Sequence, residues 1–450
     1  CCLMGLLSAC GQQSVAATNQ GSSASSTQSI THTNQPTVQP GQNNTQPVVQ
    51  TVAMPPTQTS CPADGTARAA VMKPLALGKK QNLVYVYNEI PVNTSTAYGH
   101  LKRYDLSTQQ KTDVVTSGIS IESAQVSADG QWILFLSTPD PRGDARHSAM
   151  LQLVRMDGQG LQTLYCFPAI AAGSQMGMNV PVAQWSVDQK SILLSYDVDG
   201  STSVISLLNV DAGTLVPELK YTDNQLYHYS MDFWLDNTHA YVEKSGRFGP
   251  APPIELDLLD ITTNKNLNGA DLKKVLTHSV RMSYFSTDSS YDGSHLFVSY
   301  CLLASNPFDT TISAGTATGS VLNTIYHRAQ TVCVHDLRAV SNTDLLMTVQ
   351  KYNTSTQTTD RNQVWTMKPD ASNQKVLFDL PNDGSNFSLN QTSQYPWSNL
   401  SRDGQSYALQ SVNNNTKQSA ILIANMAGGN PTSIAATVRG SVSLAGWTTM

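Results

Sequence analysis

The stretch Ser127-Ala128-Asp129-Gly130-Gln131-Trp132-Ile133-Leu134-Phe135-Leu136-Ser137 decides the fold. It reads as the end of one strand, a tight Asp-Gly turn and a following apolar strand. A two-residue hairpin turn needs positive φ, which Gly adopts without steric cost and Asp tolerates. The pattern recurs at Ser186-Val187-Asp188-Gln189, Leu235-Asp236-Asn237-Thr238, Ser290-Tyr291-Asp292-Gly293 and Ser401-Arg402-Asp403-Gly404, each followed by an apolar run. A degenerate copy lies at Ser341-Asn342-Thr343-Asp344. The turn Asp residues stand at 129, 188, 236, 292, 344 and 403, a spacing of 48 to 59 residues. Self-similarity at this scale, with several strands in each unit, is the mark of a β-propeller.

A second marker agrees. A strand ending in an Asp or Asn turn recurs at Asp105, Asp157, Asp211, Asp260, Asp370 and Asn425, spaced by 52, 54, 49, 110 and 55. The gap of 110 is close to twice the others, so one copy is expected between Thr311 and Gly319. The two markers together predict an all-β, seven-bladed propeller of four-stranded antiparallel blades, with six or eight blades as alternatives because the unit at Asp344 is degenerate. The first unit lacks an inner strand before Leu83, and Val442-Ser443-Leu444-Ala445-Gly446-Trp447-Thr448 has the look of an inner strand with nothing after it. The C-terminus is therefore expected to complete the first blade and remove exposed sheet edges.

Composition narrows the function. Charged residues make up 13% of the 450, the net charge is −5 and no basic stripe occurs, which argues against a nucleic-acid partner. Leu3-Met4-Gly5-Leu6-Leu7-Ser8-Ala9-Cys10 reads as the end of a signal peptide, with residues 1–9 its remnant. Leu7-Ser8-Ala9-Cys10 resembles the bacterial lipobox, which implies a lipid on Cys10 and anchorage to a membrane at an extracytoplasmic cell surface. Residues 10–60 follow as a tether or arm; from Gly11 to Ser60 there is no Asp, Glu, Lys or Arg. So polar a segment buries too little apolar surface to offset ordering entropy, and as a flexible chain it would span roughly 40 Å. A bolder reading has Val38, Val48, Val49 and Val52 add as a strand to a neighbouring copy and build a homo-oligomer, against which the five Pro residues of the arm weigh. Residues 61–80 read as a lead-in and 81–450 as the propeller.

The repeat units resemble those of the TolB-like β-propeller family, with its WD40-like (PD40) W-S-P-D-G motif. Trp185-Ser186-Val187-Asp188 and Trp397-Ser398-Asn399-Leu400-Ser401-Arg402-Asp403-Gly404 carry parts of it, with the family Pro replaced by Ala128, Val187 or Arg402. The resemblance implies the fold and leaves function open, since propellers host both enzymes and binding scaffolds.

Strand order puts the Asp-Gly turns and the third-to-fourth turns on one face, where they are short. The longer connections share the other face: 88–99, 138–147, 166–181, 244–253, 302–328 and 352–362. Binding residues concentrate on such loops. Tyr227, His228 and Tyr229 approach the fourth blade from that face, and Arg247 with Phe248 sits in a Gly/Pro loop; these five form the candidate binding face. No catalytic motif is found: there is no G-x-S-x-G and no H-E-x-x-H, and Asp197-Val198-Asp199-Gly200-Ser201 lacks the later ligands of a calcium loop. No metal or cofactor is implied. Arg142-Gly143-Asp144 spells an adhesion tripeptide best explained by chance. With Cys1 and Cys2 in the signal and Cys10 lipidated, Cys61, Cys166, Cys301 and Cys333 remain, and three pairings are open. Cys301–Cys333 and Cys61–Cys166 are favoured, the former as a staple across 302–328. The expected function is non-catalytic binding of a protein or glycan at the cell surface. The alternatives are a self-assembling surface-filament subunit and a propeller-type glycan lyase or hydrolase.

Overall fold

The computed structural model describes residues 58–450 except 93, 95–96, 139–146, 170–180, 200, 224–226, 247–253, 264–271, 279–283, 303–308, 318–321, 330, 354 and 357. Strands are numbered β1 to β28 along the chain. Among the described residues they form seven four-stranded antiparallel sheets, and the one helical element is the short 3-10 turn Pro396–Ser398. Blade 1 holds β1 (Gln81–Glu89), β2 (Tyr98–Asp105) and β3 (Lys111–Ser117), with β28 (Gly440–Thr449) innermost. Blade 2 is β4 (Ser120–Val126), β5 (Trp132–Thr138), β6 (His147–Arg155) and β7 (Gln162–Pro168). Blade 3 is β8 (Val182–Trp185), β9 (Ser191–Asp197), β10 (Thr202–Asn209) and β11 (Leu215–Thr222). Blade 4 is β12 (Tyr227–Trp234), β13 (His239–Gly246), β14 (Ile254–Asp260) and β15 (Lys273–His278). Blade 5 is β16 (Tyr284–Ser289), β17 (His295–Leu302), β18 (Asp309–Thr316) and β19 (Leu322–Ala329). Blade 6 is β20 (Val332–Ser341), β21 (Asp344–Asn353), β22 (Thr358–Met367) and β23 (Lys375–Pro381). Blade 7 is β24 (Ser385–Ser388), β25 (Ser406–Asn413), β26 (Ser419–Asn425) and β27 (Thr432–Thr437).

The ring closes as the sequence predicts: β28 pairs with β1 from Gln81↔Thr449 to Glu89↔Gly440. Blade number is seven. The third strand missing from the second marker is β18, at the expected place. Most of 302–328, read as a long loop, is strand: β18 pairs with β17 on one side and with β19 on the other. Alternating Thr, Ile and Tyr there carry β propensity that turn-rich flanks obscure.

The repeated turn differs from the expected two-residue hairpin. Ser127 N donates to Trp132 O, which leaves four residues in the loop, and Gly130 N donates to Ser127 O. Only the residue after the Asp takes the left-handed conformation: Gly130, Gln189, Gly293 and Gly404 have φ of 75°, 62°, 69° and 70°. The Ser and Asp have a different task. Ser127 Oγ donates to Asp129 Oδ1 at 2.6 Å and accepts from Trp132 N, while Asp129 Oδ1 accepts from Gln131 N. Ser186–Asp188, Ser290–Asp292 and Ser401–Asp403 repeat the bond at 2.8, 2.7 and 2.6 Å. Each Asp or its neighbour also reaches the next blade: Asp129 N donates to Gln189 Oε1, Asp188 N to Asn237 Oδ1 and Asp292 N to Asn342 Oδ1. In blade 6 the turn is Asn342-Thr343, and Asp344 opens β21.

Apolar residues on both faces of every blade meet their neighbours in seven clusters, one per interface. Between blades 2 and 3 lie Trp132, Leu134, Trp185 and Ile192; between 7 and 1 lie Leu83, Tyr85, Ile421 and Trp447. Trp447 is fully buried and its indole N–H donates to Asn399 O at 2.9 Å. Trp447→Ala should cost about 3–5 kcal/mol, the range for a large buried aromatic. Urea unfolding followed by tryptophan fluorescence measures it, and a loss under about 1 kcal/mol would mean that the closing strand contributes little.

Candidate functional site

Propellers have a central channel, and here the chain fills it. The inner strand of blade 7 stops at Ser388, and residues 389–398 cross the axis before the turn at Ser401. Their partners lie on five other blades. Asn390 Nδ2 donates to Leu444 O of blade 1, and Thr392 Oγ1 to Ala124 O of blade 2. Gln394 Nε2 donates to Trp185 O and Tyr395 Oη to Ser186 O, both of blade 3. Gln391 Nε2 donates to Ser286 Oγ of blade 5 at 2.9 Å, and Leu389 N donates to Asp336 Oδ2 of blade 6 at 3.0 Å. On the short-turn side Tyr395 is fully buried and stacks on Trp397 at 5.0 Å. The Arg402 guanidinium lies 4.0 Å from the Trp397 ring and donates to Ser127 O, Ala128 O and Trp447 O. Burial lowers the pKa of that arginine to about 10.

Among the described residues, exposed Gln391 marks a pit on the long-connection side of the plug. Carboxyls lie around it. β-bulges on inner strands re-aim side chains, and the register skips at Glu122 in β4, Asp232 in β12 and His335 in β20. Asp232 Oδ2 accepts from Thr287 Oγ1 at 2.6 Å. Desolvation first, then the nearby Glu243, pushes the Asp232 carboxyl up to about 7. Asp336 accepts from Leu389 N, Thr348 Oγ1 and Gln391 Nε2, yet desolvation still raises it to about 6. Behind them Asp288, 1% exposed, pairs with Arg338 at 3.1 Å. Burial drives that carboxyl up, Arg338 opposes the shift, and Arg338 Nη2 also holds Ser393 O of the plug. His335 packs against Tyr284 with ring centroids 3.7 Å apart, and its burial lowers the imidazole to about 4, so it is neutral at pH 7. At neutral pH the pit therefore holds carboxyls poised between neutral and charged, beside amide and hydroxyl groups.

The residues singled out from the sequence fall in two groups. Tyr227, His228 and Tyr229 open β12 beside this region. Tyr229 is core: it is 4% exposed and its hydroxyl donates to Asp257 Oδ2. His228 is also buried, with Ser245 Oγ 3.0 Å from its Nε2. Tyr227 remains half-buried, 4.9 Å from Lys244 Nζ, and Tyr221 shares that ammonium at 5.6 Å. Arg247, Phe248, Cys10, the valines of the arm and the tripeptide 142–144 lie outside the described residues. Asp199 closes a turn by accepting from Ser201 N and Thr202 N. The structure joins Cys301 of β17 to Cys333 of β20, a staple between blades 5 and 6, and Cys61 to Cys166 of β7. The plug and the carboxyls of the pit were missed. A signal existed: Trp397 stands six residues before Asp403, where Trp185 stands three before Asp188, and Asp232 and Asp288 each precede their turn Asp by four.

Among the described residues no helix is long and apolar enough to cross a membrane. No protein-family profile and no curated protein matches the chain. Solved structures do. The chain is similar to the β-propeller domain of the Trilobed protease from Pyrococcus furiosus, at 9% identity and a TM-score of 0.50 over 82% of this chain and 98% of that one. It is also similar to the periplasmic gluconolactonase PpgL of Pseudomonas aeruginosa (12% identity, TM-score 0.48, 81% and 99% covered) and to TolB from Acinetobacter baumannii (14%, 0.44, 81% and 82%). At these identities the likeness shows a propeller fold, TolB structures among its neighbours, and nothing of activity.

The raised carboxyls have a pH consequence. A carboxyl whose folded pKa lies above its unfolded value near 3.8 stabilises the fold fully below that value, and the stabilisation is lost as pH rises through the folded pKa. Asp232→Asn should therefore gain stability relative to the parent as pH rises from 4 to about 7. Thermal melts across that range check it; a constant difference would place Asp232 in an ordinary solvated setting.

Proposed function

We propose that this protein is a binding propeller displayed outside the cytoplasm, tethered through a lipid on Cys10, that takes a glycan at the pit of its long-connection face. One observation carries the reading: residues 389–398 pair with five other blades across the axis and, among the described residues, leave Gln391 exposed on the long-connection side. Carboxyls that are part-protonated near neutral pH offer both donors and acceptors to sugar hydroxyls without a fixed full charge. Tyr227 adds a partly exposed aromatic face near the rim, the kind of surface that supports ligand recognition. A catalytic role has one specific support, the Asp232 carboxyl at about 7, a value suited to proton transfer at neutral pH. Binding is the first reading because the groups around Gln391 are hydrogen-bonding groups held in place by one another, Gln391 Nε2 donating to Ser286 Oγ and Asp336 Oδ1.

The test is a glycan array probed with the purified protein and with Gln391→Ala and Asp336→Asn, each checked for parental melting behaviour. Binding is expected for the parent and at least about tenfold weaker for both variants, since each removes a hydrogen-bonding group of the pit. Equal binding by parent and variants, or binding only to basic peptides in a parallel peptide array, overturns the glycan reading. Release of reducing sugar that Asp232→Asn abolishes would replace it with hydrolysis.

A further inference from the structure

Residues 58–80 do not hang free of the ring: 58–68 run beside the outer strand β7, and the segment from Ala70 to Leu75 meets the short turns at Val210 and Gln131. Gln58 forms a parallel bridge with Gln162 of β7, Arg68 N donates to Leu164 O and Ala70 N to Val210 O. Leu75 N donates to Gln131 Oε1. At the outer end of this path Cys61 is bonded to Cys166, and a third metal-ligating side chain stands beside them. His147 Nδ1 lies 3.8 Å from Cys61 Sγ, and the ligand atoms of Cys61, His147 and Cys166 all fall within 4.8 Å of one another. On the far side of the imidazole, Asp64 Oδ1 is 3.8 Å from Nε2.

We infer that this cluster is a zinc site when its cysteines are reduced: Cys61 Sγ, Cys166 Sγ and His147 Nδ1 bind one Zn(II), and Asp64 orients the histidine through Nε2. The sulfur–nitrogen separation fits the chemistry, and on reduction the two sulfurs must part to about 3.8 Å to share the ion. Zn–S and Zn–N bonds of about 2.3 and 2.0 Å meeting at a tetrahedral angle place sulfur and nitrogen about 3.5 Å apart. A carboxylate behind the second ring nitrogen is the usual way of fixing the tautomer of a ligating histidine. Three protein ligands leave a fourth position for water. Cys61, His147 and Asp64 are at least partly accessible, so an ion can reach the cluster, and Cys166 is the most buried of its ligands. The steps balance. A dithiol or a phosphine gives two electrons to the cystine, which takes up two protons to become two thiols; Zn(II) then displaces those protons and receives both sulfur lone pairs. Redox state thus exchanges one clamp of the lead-in for another, covalent when oxidised and metal-bridged when reduced.

The experiment uses the full chain reduced with a phosphine and exchanged into phosphine-free, anaerobic buffer, then titrated with Zn(II) and, in parallel, Co(II). Each cysteine is then probed by alkylation and peptide mass spectrometry, which separates this site from Cys1, Cys2, Cys10 and the buried Cys301–Cys333 pair. Zinc is expected to protect Cys61 and Cys166 together, with a thiolate-to-cobalt charge-transfer band in the Co(II) sample, and the oxidised protein should show neither. His147→Ala should abolish protection at equal zinc, and Asp64→Ala should raise the zinc concentration needed about tenfold. Melting of both variants in the oxidised state checks that they fold. Protection that survives His147→Ala, or none at Cys61 and Cys166 in the parent, overturns the site.

Discussion

A propeller blade cannot stand alone, because both faces of its sheet are apolar. Everything in this molecule follows from giving each blade two neighbours. The seven clusters between blades supply the burial, and the pairing of β28 with β1 turns a row of blades into a ring in which no face is left open. Val84 sits in the cluster shared with blade 2, while Leu83 and Tyr85 sit in the cluster shared with blade 7. Strand alternation thus serves two interfaces at once.

Closure leaves an axis lined by seven strand edges, and the polar groups there must be met. In this protein one blade gives up half of its inner strand to do so. Residues 389–398 carry Asn, Gln, Thr, Ser and Tyr, and their amides and hydroxyls pair with backbone carbonyls around the ring. The buried Asp288–Arg338 pair belongs to the same arrangement, since Arg338 links blade 5, blade 6 and the plug. Such a pair costs desolvation and is retained where it fixes one arrangement over others.

The fold was legible because its signal is periodic. Ser-x-Asp turns repeat where a hydroxyl and a carboxylate must cap a strand end, and a local requirement repeated in most blades survives substitution of the rest. Asp129 and Asp403 could be placed from sequence for that reason. The pit could not. Asp232, Asp288 and Asp336 come from three blades and acquire their character from burial among groups distant in sequence. Tyr229 illustrates the converse: an aromatic run that reads as a ligand platform puts its last member into the core, where Asp257 takes its hydroxyl. The turn itself was read too simply, since positive φ is needed at one residue and the Asp acts through its side chain.

The bond between Cys61 and Cys166 also settles how the molecule bears tension. A pull on the chain N-terminal to Cys61 travels through the sulfur bridge into β7, the outer strand of blade 2. It therefore bypasses the hydrogen bonds from Arg68 to Leu75 that seat the following segment on the ring. β7 is held along its length by β6, so the load is shared by the pairs of that ladder from His147↔Pro168 to Leu153↔Gln162. The disulfide thus passes load from the chain before Cys61 to the outer strand of a four-stranded blade, whose other three strands share it.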